Sequence, residues 1–215
     1  TKTASGADLS IAPLDRIDEP LSLTDLHRAI DARLPQLDLP ELILEMHART
    51  GFAAAFTHAS EGNARAEDIA TTICAVLVAE ATNTGFEPLV RPEVSALRRS
   101  RLSWVKQNFI RAETLTTANA LLVAAHNRIP LARVWGSGEV ASADGLRFTV
   151  PVRTIHAGPN PRYFGRERGI TWYNLVSDRF SGLNALTVPG TLRDSLYLLA
   201  VVLDQETELR PGEIM

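Results

Sequence analysis

Cysteine is almost missing from this chain of 215 residues. Cys74 stands alone, which rules out an intramolecular disulfide, and its place in the apolar run ICAVLVAE marks it as a buried thiol. Lysine is nearly as scarce: Lys2 and Lys106 are the only two, and arginine carries the rest of the positive charge. No apolar stretch approaches a membrane span and the first residues lack a signal-peptide pattern, so the expected compartment is the cytoplasm. An excess of positive charge is missing too. The 22 basic residues face 25 acidic ones, for a net charge of −3, so a nucleic-acid surface has to come from clustering and not from the sum. The five histidines (His27, His47, His58, His126 and His156) keep no zinc-ligand spacing and are read as structural or solvated. What remains is an ordinary globular composition, 45% hydrophobic and 22% charged, in a chain long enough to bury a core. It opens without methionine and stops at GEIM just after a turn signal, so we expect a piece of a longer polypeptide.

The chain changes grammar once. Residues 1 to about 20 are polar and punctuated by proline, and are expected to be extended or flexible. From 21 to about 133 the apolar spacing is helical. Ser22 or Thr24 is expected to cap LTDLHRAIDARL, which ends at Pro35; Pro40 opens the next helix and Gly51 stops it. AEDIATTICAVLVAEATNTG is apolar around most of its circumference and reads as a central core helix ending at Gly85. VSALRRSRLSWVKQNFI and AETLTTANALLVAAHNRI follow, the second closed by Pro130. After Trp135, period-two strands take over. Glu139–Arg153 reads as a strand or hairpin, HAGPNPRYFGRERG as a loop, ITWYNLVSD and LNALTVPG as strands either side of an RFSG turn. TLRDSLYLLAVVLDQETE reads as a helix with a Thr191/Asp194 capping box, and GEIM as the opening of a further strand.

Asp144 is the residue this pattern does not explain. Aspartate is depleted from strands because its short carboxylate competes for backbone hydrogen bonds. Two readings compete: Asp144-Gly145 is a two-residue hairpin turn, or Asp144 is a metal ligand on a continuous strand. Three antiparallel strands, a helix and a returning strand form the start of a ribonuclease H-like core. In such cores, carboxylates on the first and fourth strands share a pair of magnesium ions, because hard divalent cations take oxygen ligands. Asp144 lies where the first acid belongs, and its small neighbours Ala141, Ser142, Ala143 and Gly145 would admit a phosphate backbone. The other acids have plainer readings: Asp178 starts a turn, Asp194 caps a helix and Glu139 lies at the surface.

Basic residues gather in two places. Arg98, Arg99, Arg101 and Lys106 share one helix, where they form either a phosphate-contacting row or a solvated face paired with acids elsewhere. Arg147, Arg153, Arg162, Arg166 and Arg168 surround the candidate strand and the glycine-rich loop after it, and guanidinium forks match phosphate oxygens. Of the adjacent Trp172 and Tyr173, one is expected in the core and the other could stack on an unpaired base.

Longer motifs carry a resemblance. GEVASADGLRF, VPVRTIHAGPNPRYFGRERGITWYNLVSD, FSGLNALTVPGTLRDSLYLL and GEIM together resemble the replicative transposases of the Tn3 family. ELILEMHARTGF, LVAEATNTGFEPL and RLSWVKQNFIRAETLTTAN resemble the helical region before their catalytic core, so the likeness covers roughly residues 37 to 215. It implies a DDE enzyme, a magnesium-dependent DNA strand transferase acting at transposon ends, with Asp144 as the first acid of the triad. In this family GEIM is typically followed by Thr-Asp, which carries the second acid, and the third, a glutamate, lies far downstream. The resemblance further implies two Mg2+ ions, transposon-end and target DNA as partners, and a homodimer in the active complex.

The expected fold class is α+β: a helical scaffold over 21–133, then over 134–215 the first half of a ribonuclease H-like α/β core. With one of three ligands present, the chain alone is expected to be inactive. The rival reading is a non-catalytic helical DNA-binding or dimerisation module in which Asp144-Gly145 is merely a turn.

Overall fold

The structure is a computed structural model that describes residues 2–3, 6–7, 18–60 and 67–215. Most of the N-terminal segment read as extended or flexible therefore lies outside the described residues, although Lys2–Thr3 (β1) pairs antiparallel with Gly6–Ala7 (β2). Two compact units divide the chain, Thr1–Asp38 and Leu39–Met215. In the first, α1 spans Leu21–Asp31. Neither Ser22 nor Thr24 caps it. The helix begins earlier, on Pro20, whose extended backbone turns its carbonyl toward the amides of Leu23 (2.9 Å) and Thr24 (3.3 Å).

The second unit opens with α2 (Leu39–Thr50), which Gly51 ends in the left-handed region at φ +69°. A left-handed residue after a helix is costly for any residue with a Cβ, and glycine has none. A 3-10 turn at Phe52–Ala55 leads on to α3 (Ile69–Thr82). The run ICAVLVAE does form a core helix. Ile73 and Val76 are fully buried and Cys74 nearly so, packed with Phe52, Phe56, Leu102, Val105 and Phe109. The helix stops at Thr82, three residues before Gly85, because Asn83 takes the left-handed conformation itself. α4 (Arg99–Asn108), α5 (Ala112–Asn127) and α6 (Pro130–Trp135) complete the helical region, and Pro130 opens α6 at a position where no amide donor is needed.

Burial pushes the Cys74 thiol up to about 11, so it stays protonated and shielded at mildly alkaline pH. A thiol reagent added to the folded chain is therefore expected to react at the rate of core opening, and at once in denaturant. Immediate reaction without denaturant would contradict this packing.

The sheet follows. β3 (Val140–Thr149) runs unbroken through Asp144 and Gly145, which face Asn174 and Tyr173 on β5 (Arg168–Ser177) in a continuous antiparallel register. The hairpin-turn reading is thereby excluded: the strand's backbone groups are spent on its neighbour, leaving no reversal at residue 144. On its other edge β5 pairs first with β4 (Gly158–Pro159) and then with β6 (Gly182–Pro189). A single helical turn, α7 (Pro161–Phe164), lies between β4 and β5. β7 (Glu213–Ile214) lies parallel to β3, as the GEIM motif suggested. The order is thus β6-β5-β3-β7, three antiparallel strands and a parallel return.

Between β6 and β7 the expected long helix is reduced. A 3-10 turn at Asp194–Tyr197 leads into α8, which covers only Leu198–Leu203. The buried Gln205 and Thr207 end it: the Gln205 amide donates to the Leu209 carbonyl at 2.8 Å, and the Thr207 hydroxyl bonds the Gln205 side chain. Local side-chain bonds of this kind compete with helix continuation. α8 covers one face of the sheet, where Ala141, Tyr173, Leu175, Val188 and Val201 form a second core. Val123 of α5 joins it.

Candidate functional site

Side chains alternate along β3, and that alternation decides what surrounds Asp144. Ser142, Asp144, Leu146 and Phe148 share one face with Asn174 and Trp172 of β5. Asp144 is exposed there. Its Oδ1 accepts a 2.7 Å bond from the Gly145 amide, and it enters no ion pair among the described residues. The small neighbours play a different part from the one their composition suggests. Ala141, Ala143 and Gly145 point to the opposite face, where they admit α8 and the turn before it, so of the four only Ser142 shares the acid's side.

Gly145 marks the closest approach on that reverse face. A Cβ added there would lie 2.6 Å from Asp194 Oδ2 and 2.7 Å from Thr171 Cγ2. Asp194 is no helix cap. One oxygen accepts from the Ser195 amide, and the other takes a 2.9 Å bond from Arg147 Nη2. The Arg147 guanidinium also lies 4.0 Å above the Tyr163 ring. Arg147 is thus tied to Asp194 and Tyr163 on the reverse face behind Asp144, with its side chain still partly open to solvent. Burial raises the Tyr173 phenol above its usual range, and the charges of Asp194 and then Asp144 add to that.

The remaining arginines of the loop are placed differently. Arg153, Arg162, Arg166 and Arg168 are exposed, and none is ion-paired among the described residues. Arg168 stands on Asp144's face, near the far end of the strand pair. Phe164, at the end of α7, pins this loop to the sheet. Its ring lies over Gly169 and Gly190, where an added Cβ would come within 2.3 and 2.5 Å of it.

On α4 most of the basic row is engaged. Arg99 pairs with Glu87, and Lys106 with Glu80 at 2.7 Å. Arg101 donates to Thr72 Oγ1 at 3.1 Å and to the Glu67 carbonyl, tying α4 to the start of α3. Arg98 bonds the Pro92 carbonyl at 3.2 Å through Nε and stays exposed. Arg99 and Lys106 are thus paired with acids while their side chains stay exposed.

Asp178 serves as a clamp. Both its oxygens accept from the Gly138 amide, at 2.9 and 3.1 Å, while Arg179 bonds the carbonyls of Gly136 and Ser137. The turn after β5 thus fixes the entry to β3. Glu139 is exposed. His126 Nδ1 lies 2.7 Å from Ser181 Oγ, His47 accepts from the Ala53 amide, and His58 packs tilted against Trp104 and edge-on against Phe109. Tyr173 is the core member of its pair and Trp172 the exposed one, at 6% and 42%. The clamp, the Phe164 lock and the role of Asp194 were not read from the sequence. A glycine inside a strand pattern, at 145 and again at 169, was the available signal of close approach.

Among the described residues no three His, Cys, Asp or Glu side chains are grouped to hold a metal ion, and no helix is long and apolar enough to cross a membrane. Residues 41–215 match the family model of the Tn3 transposase DDE domain. Over 207 residues the chain is 55% identical to the transposase for transposon gamma-delta of Escherichia coli (strain K12), covering 96% of this chain and 21% of that protein. It is 46% identical to the transposase for transposon Tn4556 of Streptomyces fradiae, over 96% of this chain and 23% of that protein. The transposase for transposon Tn1546 of Enterococcus faecium is 30% identical over 95% of this chain and 20% of its own length. The chain thus spans about a fifth of the length of the curated relatives it matches.

Proposed function

The chain belongs to the Tn3 transposase DDE-domain family, and from that premise we propose that it carries the first catalytic carboxylate, Asp144, of a DNA strand transferase. The parent enzyme cleaves DNA at transposon ends and joins the released 3′-hydroxyl to target DNA in replicative transposition. Residues 21–133 act as helical scaffold, and 134–215 as the first part of a ribonuclease H-like core. The DNA partners are the transposon ends and the target, and the active complex is a homodimer.

The observation that carries this reading is the register of β7. Its two residues pair with Val140 and Ala141, the Met215 amide donates to the Ala141 carbonyl, and the Ala143 amide donates to the Met215 carbonyl, both at 2.9 Å. If the parent strand continues in that register, the residue two places beyond Met215 lies beside Asp144 on the same face. A carboxylate there would give two oxygen ligands on adjacent parallel strands. The parent coding sequence tests this directly: an aspartate at that position is required, and an apolar residue there sinks the reading.

Asp144 offers hard oxygen donors suited to magnesium, but one carboxylate makes an incomplete site. Bound between Asp144 and carboxylates from outside the chain, a pair of magnesium ions would stabilise charge on the attacking and leaving oxygens. The chain's own contribution is geometric. β3 holds the Asp144 carboxylate on a strand paired along its length with β5 and, as far as Ala143, with β7 and Met215, while Arg147 and Asp194 brace its reverse face. By itself the chain does not cut DNA.

Phosphate binding falls to the exposed arginines. Replacing Arg153, Arg162, Arg166 and Arg168 by alanine in the parent is expected to weaken DNA binding. It should also flatten the log–log salt dependence, by about 0.9 for each phosphate that is no longer neutralised. Replacing Arg99, Arg101 and Lys106 is expected to lower stability and leave that slope unchanged, with Arg98 the one member of its row open to DNA. A slope that responds to the second set and not to the first would reverse the assignment. The non-catalytic alternative loses its main support, since it required a turn at Asp144-Gly145.

A further inference from the structure

A cleft of about 890 Å³ opens between the N-terminal half of α5 and the β5–β6 edge. Its volume lies in the upper part of the range for small-ligand sites, roughly 300–1,000 Å³. Trp172, Asn174, Ala185 and Thr187 form its sheet wall, and all four lie on the face that carries Asp144. Asn174 is Asp144's partner across the strands. Trp172 sits on the diagonal, about 7–8 Å away from strand to strand.

The wall is chemically unspent. The Trp172 indole is 42% exposed, and neither it nor the side chains of Asn174 and Thr187 make a hydrogen bond among the described residues. The charge of the cleft narrows its ligand. Glu113, Asp204 and Glu206 line it against one cation, Arg111, whose guanidinium is already held by the carbonyls of Thr57 and Asn108 at 2.9 and 2.7 Å. An acidic cleft with its only arginine engaged repels phosphate and admits a neutral, planar, polar-edged group. An aromatic face beside an amide and a hydroxyl matches a nucleobase: the ring stacks, and the amide pairs with donors and acceptors on the base edge.

We propose that this cleft takes the base of an unpaired nucleotide next to the phosphodiester that lies at Asp144. The proposal rests on the catalytic reading of Asp144 for its substrate and on the cleft for its specificity. The cleft receives the base while the backbone stays outside, toward Asp144 and the exposed arginines. A duplex has to open at that position for the base to enter.

The test uses the chain itself with two probes of equal length and charge, a short oligothymidylate and an abasic oligomer. Stacking makes the oligothymidylate bind about five- to 150-fold more tightly per stacked base. Trp172→Ala removes that preference and Trp172→Phe, which keeps a ring, retains most of it. Ala185→Ile narrows the cleft with a residue that suits a strand, and reduces the preference without touching the indole. Equal affinity for the two oligomers overturns the proposal. So does a preference that survives both Trp172→Ala and Ala185→Ile. Asp144→Asn leaves the preference intact, so a failure here is separate from a failure of Asp144, which is read by end cleavage in the parent.

Discussion

Asp144→Asn in the full-length parent lowers cleavage at transposon ends by about a thousandfold or more, which corresponds to about 4 kcal/mol of lost transition-state stabilisation. Asparagine keeps the shape of the side chain and its bond from the Gly145 amide, so β3 and its pairing with β5 are undisturbed. Only the charge goes, and with it a hard ligand for a divalent cation. Binding to end DNA is expected to stay within about twofold, because the phosphate contacts come from the arginines and are Coulombic. A gel assay of labelled ends separates the two. Cleavage at the wild-type rate would return Asp144 to a structural role on the strand.

The second large effect is on the loop. Phe164→Ala is expected to cost roughly 3–5 kcal/mol, the usual range for deleting a buried phenylalanine. The ring is 8% exposed and fills the space over Gly169 and Gly190 that no side chain could share with it. The segment between β3 and β5 keeps only smaller ties without it: the two residues of β4, the 2.8 Å bond from the Asn160 amide to the Gly190 carbonyl, and Arg147 over the Tyr163 ring. Denaturant unfolding of the chain measures the loss. Gly169→Ala should give a related defect of about 1–3 kcal/mol, since its new Cβ would meet both the Phe164 ring and the Phe148 carbonyl at 2.6 Å. Both variants are expected to reduce DNA binding along with stability, because the exposed Arg162 and Arg166 ride on this loop and Arg168 opens the strand that Gly169 continues. A Phe164→Ala chain as stable as wild type would mean that the glycine platform does not hold the loop.

Much of the architecture was legible because it is written locally. Helical periodicity located α2, α3 and α5; Gly51 and Pro130 marked real boundaries; and RFSG formed the turn between β5 and β6. Asp144 stands out in the sequence because a strand pattern rarely holds an acid. Its environment was harder to read, since Asp-Gly looks the same in a turn and in a strand. Only the nine-residue pairing of β3 with β5 distinguishes them, and that pairing is made with residues some thirty positions away. The same limit hid the partners of charge. Glu80 and Glu87 neutralise Lys106 and Arg99, and Asp194 holds Arg147, across distances in sequence that no local spacing encodes. Asp194 looked like a helix cap because it has the right offset from Thr191; the strand beside it offered an arginine instead. Face assignment failed for a similar reason. Four small residues around Asp144 looked like one phosphate-admitting surface, yet strand alternation sends three of them to the core side.

The proposed catalysis in the parent requires Asp144 to hold a divalent metal. Iron(II) in place of magnesium, with ascorbate and peroxide, cuts a polypeptide beside the ion it is bound to. In the full-length parent the predicted result is backbone scission close to Asp144, competed away by magnesium and lost in Asp144→Asn. Scission elsewhere, or scission at Asp144 that persists in the asparagine variant, would contradict the assignment.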